Sequence, residues 1–292
     1  MPDSVAGKSI LITGGNSGIG KATAQELARR GARLWLACRS EEKTRPVITE
    51  LQQESGNRDI DFLPLDLADL DSVRRCAAQF LATGEPLHVL INNGGVAGQR
   101  GVTRQGFELQ FGVNHLGHFL LTELLLERLR RSAPARVVIV ASRAHKDAKT
   151  IDFDALRQST PSFAGMHEYS VSKLCNVLHA RELGRRLEIE GAGVTTYSLH
   201  PGVIASNIWR RIPFPFDRLA KAFMKSNEEG AQTSLMCATA PELSAVSGRY
   251  YDEGREREPA SAARNAQLAA ELWRRSEAWV ANSAIASGEL PG

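Results

Sequence analysis

The chain is poor in the residues that build special-purpose scaffolds. Its 292 residues hold four cysteines, Cys38, Cys76, Cys175 and Cys237, far apart and without a C-x-x-C pair. That spacing makes neither a disulfide framework nor a zinc site and fits a reducing compartment. No His/Asp/Glu spacing asks for a metal either. No run approaches the roughly 18 consecutive apolar residues of a membrane-spanning helix; Leu124-Leu125-Leu126 and Val137-Val138-Ile139-Val140 are of core length. Met1-Pro2-Asp3-Ser4 shows neither the basic nor the apolar region of a secretory leader, so none is expected. Neither sign of charge dominates, with a net charge of +3. Arginine pairs at 29–30, 74–75, 130–131, 185–186, 210–211 and 274–275 are dispersed. Several fall near expected helix C-termini, where cations complement the helix dipole. A nucleic-acid-binding stripe is therefore not expected. Fixed-period repeats, low-complexity tracts and linkers are missing too.

What is there is a steady alternation of short apolar runs and helical patterns. Strands are expected at 10–12, 33–38, 60–65, 87–91, 136–141, 194–199 and 249–251. Helices are expected at 21–30, 41–55, 69–82, 107–131, 167–190, 228–240 and 263–281. Repeated βα units of this kind imply an α/β fold. We expect one domain over residues 1–292, a doubly wound, Rossmann-type parallel sheet of about seven strands with helices on both faces. The least regular stretch, about 202–227, contains Pro213-Phe214-Pro215-Phe216, Trp209, Phe223 and Met224. It follows a strand's carboxyl end, where doubly wound proteins place ligands. A lid over an apolar substrate, ordinary packing and a subunit contact all fit it.

The first strand runs into Thr13-Gly14-Gly15-Asn16-Ser17-Gly18-Ile19-Gly20 and then a helix. Strand, glycine turn and helix N-terminus together suit a phosphate, because backbone N–H groups and the helix dipole converge there. The second strand ends Cys38-Arg39-Ser40, where a dinucleotide fold meets the adenosine ribose. An acid at that position selects NAD, whereas arginine accommodates a 2′-phosphate. Arg39, with Ser40 beside it, thus favours NADP(H) over NAD(H); a solvated loop charge is the plain alternative. Tyr169 and Lys173 are spaced i, i+4 and share a helix face. An ammonium beside a phenol lowers its pKa and fits it for acid/base work, although such a pair by itself reads as a surface pair. Ser142 ends the fifth strand at the same sheet edge. Asn114 lies in Phe111-Gly112-Val113-Asn114-His115-Leu116-Gly117, a sequence unfavourable in a helix interior. It suggests a kink with a freed carbonyl able to hold a water, or else a tolerated helix defect.

With these motifs in this order, the sequence resembles the classical short-chain dehydrogenase/reductase family over about residues 5–255. The turn at 13–20, Asn92-Asn93-Gly94-Gly95, Asn114, Ser142, Tyr169/Lys173 and Pro201-Gly202 carry the likeness. Gly94 stands where the family usually has alanine. Leu36–Ser40, Val113–Phe119 and Ser198–Gly202 are most similar to the retinol-dehydrogenase-like branch. Many members of that branch carry an N-terminal membrane anchor, and no such segment is read here, so a cytoplasmic enzyme is expected. The resemblance implies that Tyr169 exchanges a proton with the substrate oxygen and that Ser142 orients that oxygen. Lys173 would tune Tyr169 and bind the nicotinamide ribose, and Asn114 would hold the water of a proton relay. Thr13, Gly14, Asn16, Ser17, Gly18, Ile19 and Gly20 would form the pyrophosphate turn. Asp66 and Leu67 would meet the adenine, and Asn92, Asn93 and Gly94 would line the cofactor cleft. Pro201, Gly202, Val203 and Ser206 would border the nicotinamide. His115, His118, His145, His167, His179 and His200 read as packing or pocket-edge residues. The implied activity is NADP(H)-dependent interconversion of an apolar aldehyde or ketone and its alcohol, in a homodimer or homotetramer built on the long helices. Reduction of a carrier-bound or polyketide-like keto group, and a non-catalytic NADP-binding sensor, are the alternatives.

Overall fold

Ile10, Leu11 and Ile12 are completely buried, as a strand covered on both faces must be. In the computed structural model, which describes residues 5–202 and 226–286 (the last three by backbone alone), they lie in β1 (Ser9–Thr13). The chain continues through α1 (Gly18–Arg29), β2 (Arg33–Cys38), α2 (Glu41–Ser55), β3 (Ile60–Pro64), α3 (Leu70–Ala82) and β4 (Val89–Asn92). Then come a single turn α4 (Leu109–Phe111), a π-helical turn at Gly112–Leu116 and α5 (Gly117–Arg131). The second half holds β5 (Ala135–Val140), α6 (Met166–Glu190), β6 (Val194–His200), α7 (Asn227–Thr239), β7 (Arg249–Asp252), β8 (Arg255–Glu256) and α8 (Ala266–Ala286).

The strands form one sheet in the order β3-β2-β1-β4-β5-β6-β7-β8. Every pairing is parallel except β7 with β8, which is antiparallel. The two-residue β8, too short to leave a periodic signal, is one strand more than the seven expected. Strand order reverses between β1 and β4, and ligands of open α/β sheets bind in that crevice, beyond the strands' carboxyl ends. Side chains alternate between two cores. Leu11, Val137 and Ile139 face α3, α5, α6 and α8; Ile10, Ile12, Val138 and Val140 face α1, α2 and α7. The C-terminal helix docks on the chain's own core through Leu272 and Trp273, with Arg186 of α6 stacked 4.3 Å over the Trp273 ring.

Helix boundaries follow local chemistry. Ser40 and Asp69 cap α2 and α3 through their side chains, and Ser226 forms a capping box with Glu229 at α7. Arg136 reaches across the sheet to donate to the carbonyls of Cys237 (3.1 Å) and Ala240 (2.7 Å) at the end of α7. A cation there complements the helix C-terminus. Phe80 anchors α3, fully buried with its ring 5.6 Å from Trp35 in an edge contact. Phe80→Ala should therefore cost about 3–5 kcal/mol of stability in urea unfolding. A loss below about 1 kcal/mol would mean that the α3 side of the core is not packed in this way.

Candidate functional site

Gly14 turns the chain out of β1 with φ +65°, and a Cβ there would stand 2.9 Å from Gly94 Cα. At Gly20 a Cβ would stand 2.3 Å from the Gly14 carbonyl oxygen, so α1 can pack under the turn only with glycine at that position. Ser17 occupies the N-cap of α1 without making a side-chain cap, and the first turn of α1 carries no acid. The helix therefore presents its first N–H groups and the positive end of its dipole to whatever lies beyond the turn. A phosphate fits that requirement. Asn16 ties the turn to α2 by donating from Nδ2 to Thr44 Oγ1 at 3.0 Å. Ile19 is partly buried against the α1 side of the core.

Arg39 is exposed just beyond β2 and, among the described residues, makes no ion pair. Ser40 Oγ accepts from Lys43 N at 3.3 Å, which leaves its hydroxyl proton free to donate. Asp66 shapes the exit of β3 by accepting from Ala68 N at 3.0 Å, and Leu67 packs partly buried beside it. Beyond β4, Asn93 Nδ2 donates to the Thr13 carbonyl at 2.9 Å. Asn92 Nδ2 donates to Thr122 Oγ1 at 2.9 Å. Thr13 Oγ1 accepts from both Asn93 N and Gly94 N at 2.9 Å.

Asn114 sits in the middle of the π-helical turn, so the unfavourable 111–117 sequence marks a departure from regular α-helix. Its side chain, wholly buried, is fully used. Oδ1 accepts from Val96 N (2.8 Å), and Nδ2 donates to Val96 O (2.9 Å) and to Ser172 Oγ (2.9 Å). Ser172 in turn donates to the Tyr169 carbonyl at 2.8 Å. The amide thus pins the chain after β4 to the turn of α6 that carries Tyr169 and Lys173. Lys173 is buried, and its Nζ donates to the Val140 carbonyl at 3.0 Å while lying 5.6 Å from the centroid of the Tyr169 ring. Burial pushes its amine down to about 8.

The Tyr169 phenol is half-buried beside the Ser142 side chain. Burial raises its pKa, and the Ser142 side chain offsets part of that rise. This departs from the expected lowering by Lys173, whose amine is turned onto Val140 O. Ser142 is held from three sides. Its Oγ accepts from Ala144 N at 3.2 Å, and Arg143 next to it grips Asp252 through two bonds of 2.7 and 3.0 Å. His145 accepts from Ala260 N at Nε2 (3.1 Å), so its protonated Nδ1 donates to the Ser142 carbonyl at 2.6 Å. The segment between Ser142 and α6 is anchored by two buried carboxylates. Glu108 accepts from Thr160 Oγ1 at 2.5 Å, and Glu168 accepts from Ser162 N at 3.3 Å.

Asn114, Ser142, Tyr169 and Lys173 thus meet at one edge, together with the turn at 13–20, Arg39 and the buried pair Pro201–Gly202. Val203, Ser206 and nearly all of the expected 202–227 loop lie outside the described residues. Reading the sequence alone missed the residues that hold this set: Ser172, Thr122, Arg143 with Asp252, and the histidines 118 and 145. The i, i+4 spacing of Asn114 and His118 was the one available signal. Among the described residues no His/Cys/Asp/Glu group could hold a metal ion, and no helix is long and apolar enough to cross a membrane.

The chain matches the family model for short chain dehydrogenase over residues 8–153. It is 47% identical over 272 residues to retinol dehydrogenase 12 of Mus musculus, covering 92% of this chain and 85% of that protein. To retinol dehydrogenase 13 of Homo sapiens it is 43% identical over 296 residues, covering 98% and 88%. A crystal structure of an uncharacterised protein from Mycobacterium paratuberculosis superposes with a TM-score of 0.77 at 33% identity, covering 96% and 95%. The Pseudomonas aeruginosa RhlG/NADP active-site complex does so with 0.69 at 26%, covering 89% and 98%.

The Lys173 amine carries a pH signature. With a folded-state pKa of about 8 against an ordinary 10.5, the unfolded chain holds more proton between those values, and stability rises with pH there. Lys173→Met should be more stable than the parent at pH 7 by up to roughly 3 kcal/mol and should lack that rise, Asn176 still donating to Val140 O. Equal stability of the two at pH 7, by thermal or urea unfolding, would contradict a buried ammonium.

Proposed function

The chain belongs to the short-chain dehydrogenase/reductase family, in its retinol-dehydrogenase-like branch, and on that premise we propose that this oxidoreductase uses NADP(H) to interconvert an apolar aldehyde or ketone and its alcohol. The observation that carries this reading is the placement of Lys173 Nζ 5.6 Å from the centroid of the Tyr169 ring, with Ser142 beside the phenol, at the sheet edge where α1 leaves its N-terminus uncapped.

Thr13, Gly14 and Asn16–Gly20 would hold the pyrophosphate, with Asn92, Asn93 and Gly94 along the cleft. Asp66 and Leu67 would meet the adenine, and Lys173 the nicotinamide ribose. Pro201 and Gly202, followed by Val203 and Ser206, would border the nicotinamide. The cofactor supplies the hydride for reduction and accepts it in oxidation. In reduction the substrate oxygen takes hydrogen bonds from Tyr169 and Ser142, and as hydride adds to the carbonyl carbon Tyr169 gives that oxygen its proton. Burial keeps the phenol protonated, the form that this step needs. Lys173, with its amine near 8, can return a proton to the site close to neutrality. Asn114 would hold the water that feeds it. In the alcohol direction the same groups run in reverse.

Three observations support the finer assignments. Arg39, with no acid beside it at the β2 end, suits a 2′-phosphate, and RhlG, 26% identical, was solved with NADP. Phe163, 94% exposed, and Met166, 44% exposed, stand on the segment leading into Tyr169 and suit an apolar substrate. The relatives named above are retinol dehydrogenases. Four free, buried cysteines fit the reducing cytoplasm. A homodimer or homotetramer belongs to this reading as well, with the exposed side of α5 as its contact because α8 covers part of α6.

The test is oxidation of NADPH and NADH, side by side, against apolar aldehydes and ketones including retinal and a carrier-mimic β-keto thioester. NADPH should be preferred, and Tyr169→Phe should abolish turnover while leaving NADPH binding intact. Arg39→Asp should raise KM for NADPH about tenfold or more and change KM for NADH little. Equal use of both cofactors by the parent would overturn the NADP assignment. Binding without turnover across the panel would overturn the catalytic one.

A further inference from the structure

His118 is buried in the first turn of α5, directly after the π-helical turn. Its Nε2 lies 2.8 Å from Thr13 Oγ1, and its Nδ1 lies 3.0 Å from the Asn114 carbonyl oxygen. The imidazole therefore bridges the start of the cofactor turn and the kinked residue at the other side of the site. Hydrogen-bond counting fixes which nitrogen carries the proton. Thr13 Oγ1 already accepts two backbone N–H groups, those of Asn93 and Gly94, each at 2.9 Å. A hydroxyl has two acceptor sites and one proton. Its proton must go elsewhere, and His118 Nε2 at 2.8 Å is far better placed than the Ile91 carbonyl at 3.5 Å. Nε2 is then an acceptor, so Nδ1 bears the hydrogen and donates it to Asn114 O.

We infer that His118 is a positioning residue, held as the neutral Nδ1–H tautomer, which couples the Thr13 end of the cofactor turn to the carbonyl of Asn114. The polarity of the chain of bonds is continuous, from Asn93 and Gly94 N–H to Thr13, to His118 and on to Asn114 C=O. A protonated imidazole would aim a second N–H at an oxygen whose acceptor sites are full and would break the chain. Burial and the nearby Lys173 charge hold the ring neutral, at a pKa of about 4. His115 and His179, the other imidazoles near it, are likewise driven neutral by burial. The coupling means that seating a phosphate on the turn and orienting the Asn114 carbonyl are not independent events. This functional consequence rests on the oxidoreductase reading; the tautomer does not.

The tautomer is tested first, by 15N-histidine NMR of the whole protein. The cross-peak that disappears in His118→Gln identifies the residue. It should show a protonated Nδ1 and a bare Nε2, unchanged from pH 8 to pH 5; an Nε2–H pattern, or titration near pH 6.5, would overturn the assignment. The coupling is tested by NADPH fluorescence titration and steady-state kinetics. His118→Gln, which keeps an N–H donor and an oxygen acceptor, should stay within about threefold of the parent in NADPH affinity and kcat. His118→Leu should lose tenfold or more in both. A His118→Leu protein that is less stable but binds and turns over like the parent would reduce His118 to packing. A loss in His118→Gln as large as in His118→Leu would overturn the hydrogen-bond role. If the parent itself binds no NADPH, the oxidoreductase reading falls, while the NMR result still decides the tautomer.

Discussion

The hydroxyl of Thr13 carries more of this structure than its size suggests. It sits where β1 ends, wholly buried, and takes N–H groups from the two residues that leave β4. β1 and β4 are neighbours in the sheet, and their separation beyond the last paired residues opens the crevice at the switch point. A buried hydroxyl that lost these partners would cost about 1–3 kcal/mol for each unsatisfied group. Isoleucine or valine at position 13 would continue the strand equally well but would leave the Asn93 and Gly94 amides stranded. The hydroxyl therefore sets how the two strand ends part, and the glycines on either side set how closely they can approach.

The second organising element is α6. Lys173 and Asn176 both donate to the Val140 carbonyl, at 3.0 and 3.1 Å, so the helix is anchored on the last residue of β5. Ser172 accepts from Asn114, which grips the backbone of Val96. Three segments distant in sequence thus meet on one helical turn. The arrangement opposes the ordinary preference for keeping a lysine in water. Its buried amine is destabilising for the fold, and such costs gather where a protein does chemistry. Around Ser142 the logic is similar, since Arg143–Asp252 and His145–Ala260 tie the turn after it to the rest of the chain while its side chain lies beside Tyr169.

Much of this was legible in the residues. β2 and α2 fall on the expected boundaries, because Ser40 caps α2 and Gly56 closes it with φ +71°. The sheet, its two covered faces and the meeting of Asn114, Ser142, Tyr169 and Lys173 follow from alternating apolar runs and motif order. The irregular turn at 111–117 was readable from two glycines and an asparagine in a helix. β8 was not, for two residues carry no period. The upward pKa shift of Tyr169 was not legible either, since desolvation depends on burial in three dimensions and the amine of the lysine four residues on is turned onto Val140 O. His118, too, reads like any helical histidine until Thr13, 105 residues away, is brought to its Nε2. Hydrogen-bond partners across such separations are created by the fold and leave no local trace.

The uncapped start of α1 has a consequence beyond recognition. Where Ser40, Asp69 and Ser226 complete their helices from within the chain, Ser17 leaves that completion to water or to a bound anion. A ligand that binds only the native state adds RT ln(1 + [L]/Kd) to its stability. The fraction of molecules open to proteases would then follow the supply of dinucleotide. A cell short of that dinucleotide would hold, after a round of turnover by its quality-control machinery, less of the protein itself.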